Sequence, residues 1–414
     1  MSRPVQAAIL CGGLGTRLRP LTDTMPKPMA PVNDRPFLAY LVQQLREQGI
    51  TRIIMLTGYR GEMIRDYFGD GTPSGVDISY SHGPAEWETG RRVWEARDQL
   101  ADRFMLLYSD NYAPFDLDQL LACHESHGSA ATVIVQAKRD ANIRLADDGK
   151  VDLYDRTRTA PGLAFVEIGY MIVERDRVLP AIGDPDASFS VALQRLAEAG
   201  QLGALVTTDP YHSISDLERL RLTARYLAPK RIVLIDRDGT INSRPPRAEY
   251  VTSWEQFHWV DATVEAMRQL AAQGFKFIVL SNQAGIARGM VTEHALQALH
   301  DRMCGELRDQ GIEILAVYVC PHHWDDGCSC RKPAPGMFFR ASAEHHVRLN
   351  RTLYVGDDPR DSLAAYRAGC LSALVGPERH GADDGPEKPE RTAETLPTLV
   401  PWMVEQFEAW ECVP

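Results

Sequence analysis

The stretch RIVLIDRDGTIN, residues 231–242, decides the fold of the second half of the chain. Its run IVLI is apolar without alternation, which is typical of a strand buried on both faces of a parallel sheet. Two carboxylates, Asp236 and Asp238, follow where this strand ends. Open parallel sheets place their ligand sites at the carboxyl ends of the strands. The stretch therefore predicts an α/β domain with an acidic site at one edge of its sheet.

Polar residues recur at three later points. One apolar run ends in Ser281 and Asn282, another ends in Asp357 with Asp361 close behind, and Lys332 follows a cysteine-rich segment. Each motif alone is weak, since an isolated DxD triplet is usually a turn that caps a helix. In this order and spacing, the four motifs together resemble those of the haloacid dehalogenase superfamily of phosphatases.

This resemblance implies a reaction through an aspartyl phosphate. Asp236 would attack phosphorus, while Asp238 would protonate the leaving oxygen and then activate water. The implied Mg²⁺ ligands are Asp236, Asp357 and the backbone carbonyl of Asp238. Asp361 has two open roles, a carboxylate beyond the metal ligands or the cap of the following helix. The residues implied to bind phosphate or the rest of the substrate are Ser281, Asn282, Arg331 and Lys332.

The cysteine-rich segment CPHHWDDGCSCRKPAPGM, residues 320–337, predicts a metal site. Its spacing C-x-H-x5-C-x-C supplies a complete tetrahedral set for Zn²⁺: Cys320, His322, Cys328 and Cys330. His323 is an alternative to His322, and a reduced loop or a strained disulfide between Cys328 and Cys330 is the alternative to a metal. With four protein ligands no position is left for a reactive water. We therefore expect a structural zinc that folds the loop carrying Arg331 and Lys332.

The cysteine segment and the motifs DRDGTIN, SNQAGIARG and CRKPAPGM are similar to one branch of the superfamily. That branch contains heptose 1,7-bisphosphate 7-phosphatases and histidinol-phosphate phosphatases, which the motifs alone do not separate. The resemblance covers residues 230–376. Beyond residue 376 we expect a loop or tail, because Pro, Gly and charged residues are concentrated there.

The first half opens with AAILCGGLGTRLRPLTDTMPKPM, residues 7–29. Glycines let a backbone approach a phosphate chain closely, and Arg17 and Lys27 add positive charge. The GK[ST] ending of a Walker loop is absent. The string GxGTRLxPLTxxxPKPM resembles the signature of sugar-phosphate nucleotidyltransferases, and the likeness extends to about residue 226.

This second resemblance implies transfer of a nucleotidyl group from an NTP to a sugar 1-phosphate. Arg17 and Lys27 would stabilise developing charge, and Asp110 would hold Mg²⁺ unless it is only a turn residue. Glu167 and Gly169 would contact the sugar, although a solvated strand edge is an alternative for Glu167. The residues implied to cradle the triphosphate are Gly12, Gly13, Gly15 and Thr16.

Two departures from the family pattern lie near these residues. Ser109 precedes the expected metal aspartate where the family usually has glycine. The segment WETGRRVWEA, residues 87–96, replaces a glycine-rich motif and introduces Arg91 and Arg92. These arginines belong either to a solvated helix face or to extra phosphate contacts, and the sequence leaves both open.

A third departure concerns the metal. Ser213 stands where the family has a second carboxylate ligand, in the segment SISDLERL. Asp209 or Asp216 can take over that role, or one ligand is missing.

Bulk properties bound the remaining possibilities. A chain of 414 residues is expected to form two domains. The two resemblances imply an α/β fold for each, a Rossmann-like (GT-A-like) domain over residues 1–228 and a dehalogenase-like Rossmannoid over residues 229–414. A net charge of −11 argues against a general nucleic-acid binder. Without an apolar stretch of membrane-spanning length or a signal-like N-terminus, we expect a cytoplasmic protein. The two resemblances imply that it acts on small sugar phosphates and NTP.

The two resemblances fit one route. A heptose bisphosphatase leaves a heptose 1-phosphate, and a nucleotidyltransferase consumes a sugar 1-phosphate. The hypothesis is a bifunctional enzyme of nucleotide-activated heptose synthesis, using GTP by resemblance. The alternative is an active phosphatase fused to a catalytically impaired nucleotide- or sugar-binding domain.

Overall fold

A computed structural model describes residues 6–184, 186–246, 249–376, 385 and 387–411. The chain divides into two compact units, Met1–Leu227 and Ala228–Pro414. Each unit is built on its own sheet, and this confirms the α/β class predicted for both halves. Within the described ranges, no helix is both long enough and apolar enough to cross a membrane.

The first unit contains thirteen strands and seven helices among its described residues. The strands are β1 (Gln6–Cys11), β2 (Pro31–Val32), β3 (Arg35–Pro36), β4 (Arg52–Thr57), β5 (Asp77–His82), β6 (Arg103–Tyr108), β7 (Asn111–Tyr112), β8 (Ala131–Ala137), β9 (Ile143–Leu145), β10 (Val151–Tyr154), β11 (Phe165–Glu174), β12 (Leu202–Thr207) and β13 (His212–Ser213). The helices are α1 (Phe37–Glu47), α2 (Gly61–Phe68), α3 (Thr89–Glu95), α4 (Leu117–His127), α5 (Arg175–Ile182), α6 (Phe189–Glu198) and α7 (Leu217–Leu227).

A nine-stranded mixed sheet forms the centre of this unit. Strands β6, β1, β4 and β5 run parallel in that order, while β11 is antiparallel to β6 and β8. Successive residues of β1 pack on opposite faces, with Ile9 in one apolar cluster and Ala8 and Leu10 in the other. Both faces are covered, so β1 is apolar throughout and its carboxyl end opens into the glycine turn.

The second unit has six described strands and five helices. The strands are β14 (Ile232–Ile235), β15 (Lys276–Asn282), β16 (Ile314–Cys320), β17 (Leu353–Gly356), β18 (Leu371–Val375) and β19 (Arg391–Ala393). The helices are α8 (Asp261–Ala271), α9 (Glu293–Asp309), α10 (Gly336–His345), α11 (Pro359–Arg367) and α12 (Val400–Glu411).

All six strands of this unit are parallel, in the order β16-β15-β14-β17-β18-β19. Strand β14 is central, so the segments that follow its neighbours converge on Asp236. Helix α9 is capped by Thr292, whose side chain accepts the Ala295 backbone N–H. Gly311 lies just beyond the end of this helix with φ +80°.

The expectation of a loop or tail beyond residue 376 is wrong for residues 391–411. Strand β19 extends the sheet, and Met403 and Phe407 of α12 are buried in the main apolar cluster of this unit. The Pro- and Gly-rich composition of the preceding segment hid this amphipathic helix. Residues 377–384 and 386 lie outside the described ranges.

Candidate active sites

The second unit brings three of the predicted motifs to one buried point. Asp236 follows β14, and its carboxylate Oδ1 lies 2.8 Å from Lys332 Nζ. The same ammonium lies 2.8 Å from Asp361 Oδ1 and donates a hydrogen bond of 2.6 Å to the Tyr354 hydroxyl. All four side chains are almost inaccessible to solvent. Lys332 therefore holds one positive charge between two buried carboxylates.

Burial and charge act against each other on these groups. Burial raises the pKa of Asp236, and the ammonium of Lys332 opposes this increase. Burial alone would lower the pKa of Lys332, but Asp236 and Asp361 outweigh it and raise that pKa to about 12. Lys332 is thus a permanent cation at neutral pH, as binding of a phosphate dianion requires.

Two of the three carboxylates that cluster here, Asp236 and Asp357, fit a hard divalent cation. Oxygens of Asp236, Asp357 and Asp361 all lie within 4.8 Å of one another. Asp357 Oδ1 is buried without a hydrogen-bond partner among the described residues. A Cβ at Gly239 would lie 1.6 Å from Asp357 Oδ2, so only glycine leaves room for this carboxylate. The orphaned oxygen and the all-oxygen donor set fit Mg²⁺.

Asp361 combines the two roles that the sequence left open. Its carboxylate accepts the backbone N–H groups of Asp357 and Asp358 at the start of α11, where it completes a capping box with Asp358. Its other oxygen faces Lys332. One side chain thus fixes both the helix start and the lysine.

Asp238 is held by groups that the sequence analysis missed. Arg237, which is fully buried, donates to both carboxylate oxygens of Asp238 at 2.8 Å, and Gln283 Nε2 donates at 2.6 Å. Asn242 adds a hydrogen bond of 3.0 Å. Arg237 and Asn242 lie inside the motif DRDGTIN, and Gln283 directly follows Asn282, so the motif context was an available signal.

Behind Arg237 lies His300 of α9. Arg237 Nη1 donates to His300 Nε2 at 2.8 Å, and His300 is only 2% exposed. Burial, and then the adjacent Arg237 charge, lower the pKa of His300 to about 3. The imidazole is therefore neutral and serves as a hydrogen-bond acceptor. Its sequence position on a helix gave no signal of this contact.

The expected phosphate-binding residues line the same edge. Ser281 Oγ accepts a hydrogen bond of 2.8 Å from Gln283, and Asn282 exchanges two hydrogen bonds with the Lys332 backbone. Arg331 Nη1 is buried and lacks a partner among the described residues. Arg244, which the sequence analysis missed, donates from Nε to Asp357 Oδ2 at 2.8 Å. These contacts bring the β15 end and the Lys332 loop together.

The cysteine segment folds into a compact donor cluster. His322 Nδ1 lies 3.2 Å from Cys330 Sγ and 3.6 Å from Cys320 Sγ, and Cys328 Sγ lies 3.6 Å from the other two sulfurs. A tetrahedral zinc with Zn–S bonds of about 2.3 Å requires sulfurs about 3.7 Å apart. The thiols are free, so the disulfide alternative does not apply. His323 contacts Asp325 and Trp324 instead.

In the first unit, the predicted glycine turn follows β1. Gly15 has φ +62°, and a Cβ there would lie 2.8 Å from Lys27 Cβ, so the turn packs closely on that residue. Thr22 Oγ1 donates to the Gly15 carbonyl at 2.9 Å. Gly13, Thr16 and Arg17 are exposed on the turn, and Gly12 is buried beneath it. Such a turn offers backbone N–H groups to an anion.

Asp110 pairs with Lys27, since Lys27 Nζ lies 2.7 Å from Asp110 Oδ2. Glu167 accepts the Gly169 N–H at 2.9 Å. Burial raises the pKa of Glu167 to about 7, and repulsion from Asp110 contributes. Gly169 has φ +84°, and a Cβ there would lie 2.8 Å from Tyr108. Asp110 lies in the turn between β6 and β7, and Glu167 and Gly169 lie within β11.

At Ser213 the chain has a hydroxyl group in the position where the resembled family has a second carboxylate ligand for the metal. Ser213 is paired with Asn111 across β7 and β13, and its hydroxyl accepts from Arg219 Nη1 at 3.2 Å. Asp216 accepts the Arg219 backbone N–H at the start of α7. Among the described residues, the two groups of three or more metal-ligating side chains with donor atoms within 4.8 Å are both in the second unit.

Comparisons with known proteins agree with both resemblances. The nucleotidyl transferase family matches residues 6–144, and the HAD-hydrolase-like family matches residues 329–400. The D-glycero-β-D-manno-heptose-1,7-bisphosphate 7-phosphatase of Pasteurella multocida is 34% identical over 177 residues, which are 41% of this chain and 95% of that protein. Its counterpart in Escherichia coli K12 is 37% identical over 150 residues, 34% of this chain and 77% of that protein.

Solved structures resemble each part of the chain separately. The D,D-heptose 1,7-bisphosphate phosphatase from B. bronchiseptica, in complex with magnesium and phosphate, is 33% identical, with a TM-score of 0.39 over 42% of this chain and 99% of that one. HddC from Yersinia pseudotuberculosis is 23% identical, with a TM-score of 0.47 over 54% of this chain and 99% of that one.

Proposed function

Because the chain belongs, through its second unit, to the D-glycero-β-D-manno-heptose-1,7-bisphosphate 7-phosphatase family, we propose that it removes the 7-phosphate of that sugar. We further propose that the first unit then transfers a nucleotidyl group, GMP from GTP, to the heptose 1-phosphate. The enzyme would thus perform two consecutive steps in the synthesis of a nucleotide-activated heptose.

In the phosphatase reaction, Asp236 is the nucleophile. Its Oδ1 is oriented by Lys332, and Lys332 with Ser281 binds the phosphoryl oxygens. Mg²⁺, held by Asp236, Asp357 and the Asp238 carbonyl, would neutralise charge between the carboxylate and the phosphate. The observation that carries this proposal is the buried contact of Asp236 with Lys332 beside the orphaned oxygen of Asp357.

Asp238 is proposed as the acid and base. It protonates the leaving sugar oxygen and then takes a proton from the water that hydrolyses the aspartyl phosphate. Arg237, Asn242 and Gln283 fix the orientation of its carboxylate. These hydrogen bonds occupy the carboxylate oxygens of Asp238. Proton transfer therefore requires one of the hydrogen bonds to be replaced by a hydrogen bond to the substrate or to the water.

We propose that Zn²⁺ binds Cys320, His322, Cys328 and Cys330 and has a structural role. The cluster directly precedes Arg331 and Lys332, so its closure fixes the loop that delivers the phosphate-binding lysine.

In the transferase reaction, the glycine turn is proposed to bind the triphosphate. Arg17 and Lys27 stabilise charge at the reacting phosphorus, while Glu167 and Gly169 contact the sugar. Asp110 would contribute to Mg²⁺ binding, with substrate phosphates supplying further oxygens. The ion pair of Lys27 with Asp110 supports this proposal, since the ammonium lies 2.7 Å from the carboxylate that is proposed to bind the metal.

A second candidate keeps the phosphatase and makes the first unit a binding domain without turnover. Arg219 favours it, because its guanidinium contacts Ser213 where the family has a metal carboxylate. The two candidates predict the same phosphate release and differ only in pyrophosphate release.

One experiment tests both units. Heptose 1,7-bisphosphate, Mg²⁺ and each NTP in turn are incubated with the protein, and phosphorus NMR follows the products. We expect inorganic phosphate first and then pyrophosphate with GTP. If no inorganic phosphate forms, the phosphatase proposal is wrong. If phosphate forms without pyrophosphate for any NTP, the binding-domain candidate replaces the transferase.

A further inference from the structure

Arg92 makes an unusual set of contacts in the first unit. It lies on α3 and is 4% exposed. Its Nη1 donates to the Thr57 carbonyl at 2.7 Å, and its Nη2 lies 3.2 Å from the Gly12 carbonyl and 2.7 Å from the Pro84 carbonyl. The Ala85 carbonyl is 3.3 Å from Nη2. One buried guanidinium thus serves four backbone acceptors.

These acceptors come from three different chain segments. Thr57 ends β4, Gly12 follows β1, and Pro84 follows β5. The three strands are neighbours in the sheet, in the order β1-β4-β5, and all run parallel. Their carboxyl ends therefore lie at one edge, and Arg92 links the three segments that leave it. One of those segments is the glycine turn proposed to bind the triphosphate.

Two glycines leave space for the Arg92 guanidinium. A Cβ on Gly12 would lie 2.0 Å from Arg92 Cζ, and a Cβ on Gly58 would lie 2.6 Å from Arg92 Nη2. Neither glycine has a positive φ, so steric room for the guanidinium is what their lack of a side chain provides. The glycine at the base of the turn and the arginine are therefore complementary in shape.

Arg91, the neighbouring residue, behaves quite differently. It pairs with Glu95 at 2.9 Å and with Asp186 at 2.8 Å on the surface of the unit. Arg91 thus belongs to the solvated face that the sequence analysis considered. Neither of the two alternatives, a solvated face or a direct phosphate contact, describes Arg92.

We propose that Arg92 is a positioning residue for the nucleotide. Its guanidinium holds the Gly12 carbonyl from behind the turn, so that the N–H groups of the turn stay directed at the triphosphate. Its positive charge, which is buried next to the turn, adds to the attraction for the polyanion. This inference rests on the proposed nucleotidyl transfer, because that proposal makes the turn a phosphate site.

The test compares Arg92→Met and Arg92→Lys with the matched control Arg91→Met in the full-length protein. Hydrogen–deuterium exchange reports on the turn without any ligand. We expect faster exchange of the amides in residues 11–18 and 57–60 in Arg92→Met, a smaller increase in Arg92→Lys, and none in the control. Unchanged exchange in these segments of Arg92→Met would overturn the inference.

Calorimetric titration with GTP and Mg²⁺ provides the functional measurement. We expect the Kd for GTP to be about tenfold or more higher in Arg92→Met. The KM for heptose 1-phosphate, measured from pyrophosphate release, should change less than about twofold. A merely structural role would instead lower the active fraction and leave the affinity of the remaining protein unchanged. Equal GTP affinity in Arg92→Met and the parent protein would contradict the proposal.

Gly12→Ala provides a second test, because its Cβ would displace the guanidinium while keeping the arginine. We expect Gly12→Ala to reproduce the faster exchange and the weaker GTP binding. The double variant Gly12→Ala with Arg92→Met should bind GTP no more weakly than the more affected single variant. Additive losses would contradict a shared mechanism. If the parent binds GTP in an Arg92-dependent way but releases no pyrophosphate, the positioning role stands and the transferase proposal fails.

Discussion

Lys332 Nζ and Asp236 Oδ1 are 2.8 Å apart in an almost completely buried ion pair. Asp361 makes the same contact with the ammonium from the other side. Removing one partner of a buried pair leaves an uncompensated charge, which costs on the order of 3–5 kcal/mol. The site therefore keeps its lysine paired before substrate binds, and a phosphate dianion can enter as a further partner of the same cation.

Asp236→Asn should abolish phosphate release. A carboxamide is not a nucleophile that can form the acyl phosphate, so we expect a loss of about 10³-fold or more in kcat. Release of inorganic phosphate from heptose 1,7-bisphosphate is the measurement. Asp309→Asn, at the exposed end of α9, is the matched control and should retain full activity. Phosphate release by Asp236→Asn at the parent rate would refute the covalent mechanism.

Cys328→Ser should remove the proposed zinc. The remaining three ligands bind Zn²⁺ more weakly, so we expect the metal content to fall from about one Zn²⁺ per chain, and phosphatase activity to fall about tenfold or more as the Lys332 loop loosens. Elemental analysis after dialysis measures the first effect. Cys304→Ser, a half-buried thiol on α9 outside the cluster, is the control. A variant that loses activity but keeps full zinc would contradict the assignment.

Short-range sequence patterns predicted most of the residues of the phosphatase site. Asp236 and Asp357 directly follow apolar strands, and Ser281 is the next-to-last residue of one. The parallel strand order then brings the three strand ends together. Arg244 and His300 could not be found in this way. Each contacts the site from a loop or a helix face, and a single Arg or His there has no periodic pattern to distinguish it from a solvated residue.

The first unit shows a second reason for missed contacts. Arg92 occurs in an ordinary amphipathic helix, and nothing in its neighbourhood predicts that four backbone carbonyls lie within reach. The approach of three loops is a tertiary property. Helix α12 was missed for a different reason, since Pro- and Gly-rich residues before it suggested that the fold had already ended.

Lys27→Met should selectively impair nucleotidyl transfer. It removes the positive charge beside Asp110 and the reacting phosphates, so we expect kcat for pyrophosphate release from GTP and heptose 1-phosphate to fall about 10²-fold or more. Phosphate release by the second unit should not change. Lys150→Met, at a half-exposed residue that forms an isolated β-bridge with Gly203 outside this site, is the matched control. Equal loss of both activities would instead indicate general unfolding.

His300→Gln should make the second unit less sensitive to acid. The pKa of His300 is lowered to about 3 in the folded protein, against about 6.5 in the unfolded chain, so only the unfolded chain gains a proton as the pH falls below 6.5. The contribution of the neutral His300 to the free energy of unfolding is therefore fully present above pH 6.5. It is lost progressively as the pH falls from 6.5 toward 3. Glutamine does not titrate, and its carbonyl can still accept a hydrogen bond from Arg237. Between pH 7 and pH 5 we expect the variant to lose about 2 kcal/mol less unfolding free energy than the parent.

Urea titrations that follow phosphatase activity at the two pH values measure this difference for the second unit alone. His294→Gln, on the exposed face of the same helix, is the control and should follow the parent at both pH values. Parallel losses in His300→Gln and the parent would mean that the folded protein accepts a proton at His300 near neutral pH. A protonated imidazole cannot accept the hydrogen bond from Arg237. His300 would then not hold the guanidinium that orients the Asp238 carboxylate.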